Sequence, residues 1–303
     1  MSLSFKRREF LATALAAMAG GKVLGAGQGP GSAGAHVRLT GDLTIRQVMD
    51  LILADIPGAP FAKTVDTIKS GNADQPVKGI VTTMFATDAV IEKAIRSGAN
   101  FIIAHEPTFY NHPDETDWLE GDPVYAHKRA LLESSGIVVW RFHDGLHAHR
   151  PDGVLMGMLT AMGWDKYYNA GAPEMVTIPA SSLGDIVEKA RRQLGIGKMK
   201  LIGDLSQSCQ RILISPGAAG GRYQIGDLRK YAPDLMICGE LNEWETAEYV
   251  RDARYQGKTM SLLVLGHAVS EEPGMAAMVP WLQQKLPGVR IEHLASGDPF
   301  KFV

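Results

Sequence analysis

Short apolar runs of strand type alternate with helix-like segments along most of this 303-residue sequence. One run covers residues 101–104 and another covers 137–142. Alternation of this kind is typical of a mainly parallel α/β fold, in which helices connect the strands. The sequence therefore predicts an α/β protein. Residues 54–75 are polar and irregular, and residues 143–149 are predicted as a loop.

Imidazole and carboxylate side chains stand directly after several of these runs. In an α/β fold the carboxyl ends of the strands form the edge where ligands usually bind. Imidazoles and carboxylates gathered at that edge are transition-metal ligands. A carboxylate in the first turn of a helix also serves as a cap, so the pattern alone leaves a structural role open. The residues at these positions are His105, Glu106, His143, His147, Glu240, His267 and Glu271.

The order of strands and helices is repeated within the chain. Residues 79–150 and residues 211–272 each read strand, helix, strand, helix, strand. We therefore expect duplicated, mainly parallel β/α halves that form one metal-binding fold, with both sets of strand ends facing one cleft. The alignment pairs Glu106 with Glu240, His143 with His267, and His147 with Glu271.

The overall composition excludes some classes of partner. Hydrophobic residues make up 45% of the chain and charged residues 21%, with a formal net charge of -2. Because there is no basic stripe, we expect neither nucleic acid nor an anionic membrane as a partner. Cys209 and Cys238 could form a disulfide in an oxidising compartment, or they could be small buried residues. They form no C-x-x-C pair, which argues against a thiolate metal site.

The first 35 residues differ from the rest of the chain. The segment Lys6-Arg7-Arg8-Glu9-Phe10-Leu11 precedes an Ala-rich run over residues 12–19 that is too short to span a membrane. Paired arginines followed by x-Phe-Leu resemble the twin-arginine signal, whose pathway exports folded proteins. A Gly-rich linker follows and ends in a cleavage pattern, Ala33-Gly34-Ala35. An amphipathic helix is the alternative, but the linker's glycines disfavour it.

We therefore predict a signal peptide and linker over residues 1–35 and a folded domain over 36–303. The mature protein would be periplasmic or otherwise extracytoplasmic, and it would be exported already folded.

Three segments of the chain have the form of metal-binding motifs: Ile103-Ala-His-Glu-Pro-Thr-Phe-Tyr110, Phe142-His-Asp-Gly-Leu-His147 and Gly266-His-Ala-Val-Ser-Glu271. They resemble the three metal motifs of a dinuclear-metal family, the type 2 GTP cyclohydrolase-like family, also called Ngg-interacting-factor-three-like. In that family the motifs read His-His-Pro, His-Thr-Asn-Leu-Asp and Gly-His-x-x-x-Glu. The resemblance extends from about Thr44 to Val303, and it includes Pro216-Gly217 and the Asp-(x)4-Gly-Glu segment ending at Glu240.

The resemblance implies a set of metal ligands and two divalent transition metal ions, such as Zn, Fe or Mn. This chain departs from the family twice, with Glu106 in place of a histidine and His147 in place of an aspartate. Three imidazoles and two carboxylates remain, so the formal ligand charge stays at -2. The ligands carried over are His105, Glu106, His147, His267 and Glu271.

The resemblance also suggests roles for residues around these ligands. His143 would support the ligands without binding metal, and Glu240 would act as a general acid/base. The loop from Pro216 to Gly221 could hold a substrate anion through bare backbone amides, or it could be only a flexible turn. The candidate substrate-binding residues in that loop are Gly217, Gly220 and Gly221.

Two functions follow as expectations from these residues and from the resemblance. The first is an exported dinuclear-metal-dependent hydrolase acting on a small-molecule substrate through a phosphoester, an amide or a ring C=N carbon. The second is a metal-binding oligomeric scaffold or binding protein without turnover. Similar family members form hexameric rings, so we expect a homo-oligomer, with a hexamer as one form. No membrane span is expected.

Overall fold

The computed structural model of the chain describes residues 43–301. The predicted signal peptide and linker, and the predicted domain boundary after residue 35, lie outside the described residues. No helix within 43–301 is both long and apolar enough to cross a membrane.

The described chain alternates helices and strands, as the sequence predicts. Up to residue 161 the elements are α1 (Ile45–Leu53), β1 (Ile68–Ser70), β2 (Ile80–Thr83), α2 (Asp88–Arg96), β3 (Phe101–Ala104), α3 (Pro123–Ser135), β4 (Val138–Arg141), α4 (Asp144–Ala148) and α5 (Gly153–Ala161). After residue 161 they are β5 (Met175–Ser182), α6 (Leu183–Leu194), β6 (Lys200–Ile202), β7 (Ser208–Ser215), α7 (Gly221–Tyr231), β8 (Leu235–Cys238), α8 (Glu248–Tyr255), β9 (Ser261–Val264), α9 (His267–Lys285) and β10 (Ile291–His293). Short helical turns cover Asp117–Leu119, Asp165–Tyr167 and Glu243–Ala247.

The strands form two sheets of five strands each. The first has the order β1-β4-β3-β2-β10, and only β1 is antiparallel to its neighbour. The second has the order β5-β7-β8-β9-β6, with β7, β8 and β9 parallel and the two edge strands antiparallel. Each sheet therefore contains three parallel strands that follow one another in the chain and are connected by helices, and β10 adds a fourth parallel strand to the first sheet. The predicted fold class, with duplicated and mainly parallel β/α halves, is confirmed.

Burial explains why the central strands are almost wholly apolar in sequence. Every residue of β2, β3, β4 and β8 is buried. Parallel strands covered on both faces read as continuous apolar runs, because neither face meets water. Cys209 and Cys238 are buried as free thiols, and burial raises the pKa of Cys238 to about 12. Both cysteines thus serve as small core residues of the second sheet.

Helix α9 connects the two halves. It begins directly after β9 of the second sheet, yet it packs against α5, β2 and β10. The hydroxyl of Thr82 in β2 donates to the carbonyl of Met275 in α9 at 2.9 Å. Gly157 and Gly274 let α5 and α9 meet closely, since a Cβ on Gly157 would lie 2.4 Å from the Gly274 Cα. The first turn of α9 is thereby held against the strand ends of the first sheet.

Candidate metal centre

His105 and Glu106 extend β3 beyond its last residue. The His105 amide donates to the Thr83 carbonyl at 3.1 Å, and the Glu106 amide donates to the Met84 carbonyl at 2.9 Å. Both side chains are buried, with His105 at 0% and Glu106 at 5% exposure. His105 Nδ1 lies 3.3 Å from the carbonyl oxygen of Phe142. This contact fixes the ring so that Nε2 faces Glu271.

His143 and His147 stand one helical turn apart at the start of α4. Their spacing places both on one face of that helix. The Asp66 carboxylate accepts from the amides of His143 at 2.7 Å, Asp144 at 2.9 Å and Gly145 at 2.7 Å. A carboxylate at a helix N-terminus satisfies amides that have no partner within the helix. Asp66 therefore fixes the position of both histidines.

His267 and Glu271 occupy the first turn of α9. Gly266, just before the helix, has a φ of 105°, a value that side chains rarely adopt. His267 Nε2 lies 3.1 Å from Glu106 Oε1 and 3.1 Å from Glu271 Oε2. Glu271 Oε2 also lies 3.4 Å from His105 Nε2. These contacts join a pair of predicted ligands from the first half to a pair from the second.

The structure brings all the predicted ligands into one cluster. His105, Glu106 and Glu271 have ligand atoms within 4.8 Å of one another. The His147 ring lies 5.1 Å from the His105 ring between centroids. Two further groups meet the same 4.8 Å limit: His105 with His143 and His147, and Glu106 with His112 and His143. His143 is thus placed inside the cluster.

Several buried atoms of this cluster fit a metal ion. Within residues 43–301, His147 Nε2 and Glu271 Oε1 are buried and make no hydrogen bond, and His105 Nε2 has only its 3.4 Å contact with Glu271 Oε2. A buried polar atom without a partner costs about 1–3 kcal/mol. All three are of the type that carries a lone pair for a divalent transition ion. The donor set therefore fits the metal ions that the resemblance implies.

The charges of the cluster are strongly coupled. Burial opposes charge on His267, but the carboxylates of Glu106, Glu240 and Glu271 outweigh it and raise the pKa of His267 to about 12. Burial likewise opposes charge on Glu271, yet the His105 and His267 imidazoles hold the pKa of that carboxyl well below its usual range. The pKa of His105 is raised, because Glu271 and Glu106 outweigh its burial. The carboxylates thus shift the pKa values of both imidazoles in the same direction, upwards.

Arg141 is a site residue that the sequence analysis missed. It ends β4, and its side chain is 0% exposed. Its guanidinium donates to Glu106 Oε2 at 3.0 Å and to the carbonyls of His105 and His112. Asp114 Oδ2 lies 3.6 Å from it and also pairs with Lys69 at 3.1 Å. One oxygen of Glu106 is therefore held by Arg141, and the other faces His267. An arginine within a buried apolar strand was the available signal, since arginine is rarely buried unpaired.

Glu240 borders the cluster. Its carboxylate oxygen Oε2 lies 3.5 Å from His267 Nδ1, and its side chain is 56% exposed. Its backbone amide donates to the Gly217 carbonyl at 2.9 Å. Glu240 therefore stands where the cluster meets solvent, on the far side of the His267 ring from Glu106.

The glycine loop lies beside Glu271. Gly217 has a φ of 66°, and a Cβ built on it would lie 2.1 Å from Glu271 Oε1. Gly220 has a φ of 83° and no atom within 4 Å of a built Cβ. The amide of Gly221 donates to Glu245 Oε2 at 3.2 Å. The protein's own carboxylate thus contacts the amide that starts α7, and Gly217 is the loop glycine that faces the cluster.

Comparison with known proteins gives one consistent result. The model of the Duf34/NIF3 (NGG1p interacting factor 3) family matches residues 61–299. A Clostridium perfringens protein named GTP cyclohydrolase 1 type 2 homolog is 23% identical over 267 residues, covering 83% of this chain and 97% of that protein. An Escherichia coli K12 protein of the same name is 27% identical over 218 residues, covering 69% of this chain and 81% of its own.

Solved structures share the fold at low identity. A Bacillus cereus protein related to NIF3 has a TM-score of 0.68 at 14% identity, covering 87% of this chain and 100% of that chain. A hypothetical protein from Staphylococcus aureus has a TM-score of 0.66 at 18% identity, covering 86% of this chain and 99% of that chain.

Proposed function

This chain belongs to the Duf34/NIF3 family, and we propose that it is a dinuclear-metal-dependent hydrolase that acts on a small molecule outside the cytoplasm. The proposed ligands are His105, Glu106, His147, His267 and Glu271. The proposed metals are two divalent transition ions such as Zn, Fe or Mn.

One observation carries this proposal. Imidazoles and carboxylates from both halves converge on a buried cluster, in which Nε2 of His147 and Oε1 of Glu271 make no hydrogen bond within the described residues and Nε2 of His105 has only its 3.4 Å contact with Glu271 Oε2. Elsewhere in folded proteins, buried polar atoms nearly always have a partner. Bound cations would account for these three atoms together.

The remaining residues of the site position the ligands and handle protons. Bound divalent ions would supply Lewis-acid activation of water and of the electrophilic substrate atom. Arg141 fixes one oxygen of Glu106 at 3.0 Å, and Asp152 Oδ2 fixes His147 Nδ1 at 2.9 Å. Glu240, half exposed beside His267, is the proposed general acid/base, because it reaches both the cluster and solvent. Gly217 leaves room for Glu271, and the loop that carries Gly217, Gly220 and Gly221 is the proposed substrate-binding segment.

The proposed reaction is hydrolysis at a phosphoester, an amide or a ring C=N carbon. The name of the curated relatives points to a purine ring as one substrate class. An exported protein would meet little GTP, so we place a different small molecule ahead of GTP. Turnover distinguishes this proposal from a metal-binding scaffold, and we propose a homo-oligomer for either role.

The proposed location rests on the paired arginines and the Gly-rich linker. The double substitution Arg7→Lys with Arg8→Lys should block processing to a mature N-terminus near residues 25–36. Normal processing of that variant would contradict folded export.

The test of function is turnover by the metal-loaded protein. Protein stripped with a chelator is reloaded with Mn²⁺, Fe²⁺ or Zn²⁺ and assayed on panels of phosphoesters, amides and purine rings. We expect hydrolysis in at least one panel. Glu240→Gln should keep the metals and lower the rate about 10²-fold or more, whereas Glu271→Gln should lose metal.

Metal binding without turnover on any panel would contradict the hydrolase proposal and favour the scaffold. Absence of metal binding would contradict both functions.

A further inference from the structure

We propose that His143 is itself a metal ligand in this chain, and that His105, His143 and His147 form a three-imidazole subsite for one divalent transition ion such as Zn²⁺. This inference rests on the proposed metal binding and specifies which side chains hold one of the ions. It follows from the exchange that places a histidine at position 147, one helical turn after His143.

The three rings lie in contact with one another. A ring nitrogen of each lies within 4.8 Å of a ring nitrogen of the other two. The ring centroids of His105 and His143 are 4.7 Å apart, those of His143 and His147 are 4.9 Å apart, and those of His105 and His147 are 5.1 Å apart. The side chains are 0% exposed for His105, 4% for His143 and 18% for His147. Water therefore has little access to the space between them.

Each ring has its Nδ1 atom beside a hydrogen-bond acceptor. An imidazole that binds a metal through one nitrogen usually donates its other N–H to a carboxylate or a backbone carbonyl. With Nδ1 donating, the lone pair of each ring is on Nε2. The acceptors are the Phe142 carbonyl at 3.3 Å for His105, Asp144 Oδ1 at 2.9 Å for His143, and Asp152 Oδ2 at 2.9 Å for His147.

The Nε2 atoms are the ones turned towards the cluster. His105 Nε2 lies 3.4 Å from Glu271 Oε2, and His143 Nε2 lies 3.8 Å from Glu106 Oε1. His147 Nε2 is buried and makes no hydrogen bond among the residues that the structure describes. The same orientation thus occurs in all three rings, although they come from two different segments of the chain.

A capping role does not account for His143. The residue precedes α4, but its side chain makes no capping hydrogen bond to that helix. The amides at this helix start are instead bound by the Asp66 carboxylate. The ring of His143 instead stacks on the His105 ring and meets the His147 ring edge-on.

The subsite differs chemically from the remaining ligands. Three imidazoles suit zinc and other nitrogen-preferring ions, whereas a carboxylate-rich set suits harder ions such as Mn²⁺. Glu271 Oε2 lies 3.4 Å from His105 Nε2 and 3.1 Å from His267 Nε2, so this carboxylate stands between the two sets. The first equivalent of Zn²⁺ should therefore occupy the three-imidazole subsite.

X-ray absorption spectroscopy of the full chain loaded with one equivalent of Zn²⁺ counts the bound imidazoles. We expect about three in the wild type, in keeping with the ligand number of open zinc sites. His143→Ala should lower the count to about two and weaken Zn²⁺ binding at least tenfold, roughly the size of ligand-shell effects. His127→Ala is the matched control, because that side chain is 69% exposed and belongs to none of the three groups of possible metal ligands. It should leave both values unchanged.

A wild-type count of two or fewer, or a count that His143→Ala leaves unchanged, would overturn this inference and leave the proposed metal binding intact. Absence of Zn²⁺ binding by the wild type would overturn both. If His143→Ala does not fold, His143→Gln, which keeps most of the side-chain volume but has no imidazole, takes its place in the same measurement.

Discussion

Replacing Arg141 with methionine removes a guanidinium that is fully buried beside the candidate metal centre. The substitution leaves the Glu106 carboxylate without its 3.0 Å partner and removes the donor to the His105 carbonyl. Removing one partner of a buried ion pair costs about 3–5 kcal/mol, because the other charge remains buried and unpaired. Glu106 keeps its 3.1 Å contact with His267, and Asp114 keeps its pair with Lys69. We therefore expect Arg141→Met to lower the free energy of unfolding by about 3 kcal/mol, the lower end of that range.

The chain supplies a matched control for this substitution. Arg129 pairs with Glu133 at 2.6 Å, but these side chains are 59% and 62% exposed. An exposed pair contributes about 0.2–1 kcal/mol, since water screens both charges. Arg129→Met should therefore leave the free energy of unfolding nearly unchanged. Both substitutions replace an arginine by a methionine, and the two arginines differ in burial.

The assay is urea unfolding followed by circular dichroism, with a chelator present so that metal binding does not contribute. Adding Glu106→Gln to Arg141→Met should recover part of the loss, because the buried carboxylate that has lost its guanidinium partner is then replaced by a neutral amide. A cost below about 1 kcal/mol for Arg141→Met, or a double variant whose cost is the sum of its parts, would refute the reasoning.

Three further predictions concern the ligands. The variants Glu106→His and His147→Asp should each lose part of the bound metal, whereas the double variant should bind about two ions per chain, because it restores the formal ligand charge of the wild type. Metal titration of the wild type, both single variants and the double variant tests this, and additive effects would contradict the reasoning. Since the pKa of His267 is raised to about 12, a metal ion must displace its proton at pH 7, so Zn²⁺ binding should release protons and the Zn²⁺ affinity should fall as pH falls. Calorimetry in two buffers of different ionisation enthalpy measures the proton release, and a Zn²⁺ affinity that does not change with pH would contradict the prediction. Gly217→Ala should weaken metal binding at least tenfold, because the added Cβ displaces the Glu271 carboxylate, whereas Gly220→Ala, at a similar φ but with open space around it, should not. Equal effects of the two substitutions in metal titrations would contradict this steric argument.

The sequence predicted the parts of the structure that depend on local pattern. The apolar runs before His105 and His267 identified β3 and β9, because parallel strands buried on both faces are apolar throughout. The order of these runs also indicated the duplicated halves. Parallel strands have their carboxyl ends at the same edge of a sheet, so the positions of the strands also predicted where the residues directly after them lie.

Residues whose roles depend on distant partners were not predicted. Asp66 lies in a segment without periodicity, yet it binds the amides of His143, Asp144 and Gly145, which lie 77–79 residues later. The short helix that these amides begin was predicted as a loop. Arg141 likewise acquires its role only when Glu106 is brought beside it. No local pattern contains such partners, because they meet only through the packing of the sheet.

The metal content of the protein purified without chelators tests the central claim most directly. Elemental analysis of the wild type should find about two divalent transition ions per chain. A variant lacking His105 and Glu271 should hold markedly less, while His127→Ala should match the wild type. A wild type with no bound transition metal, even after incubation with Zn²⁺, Mn²⁺ and Fe²⁺, would contradict the account.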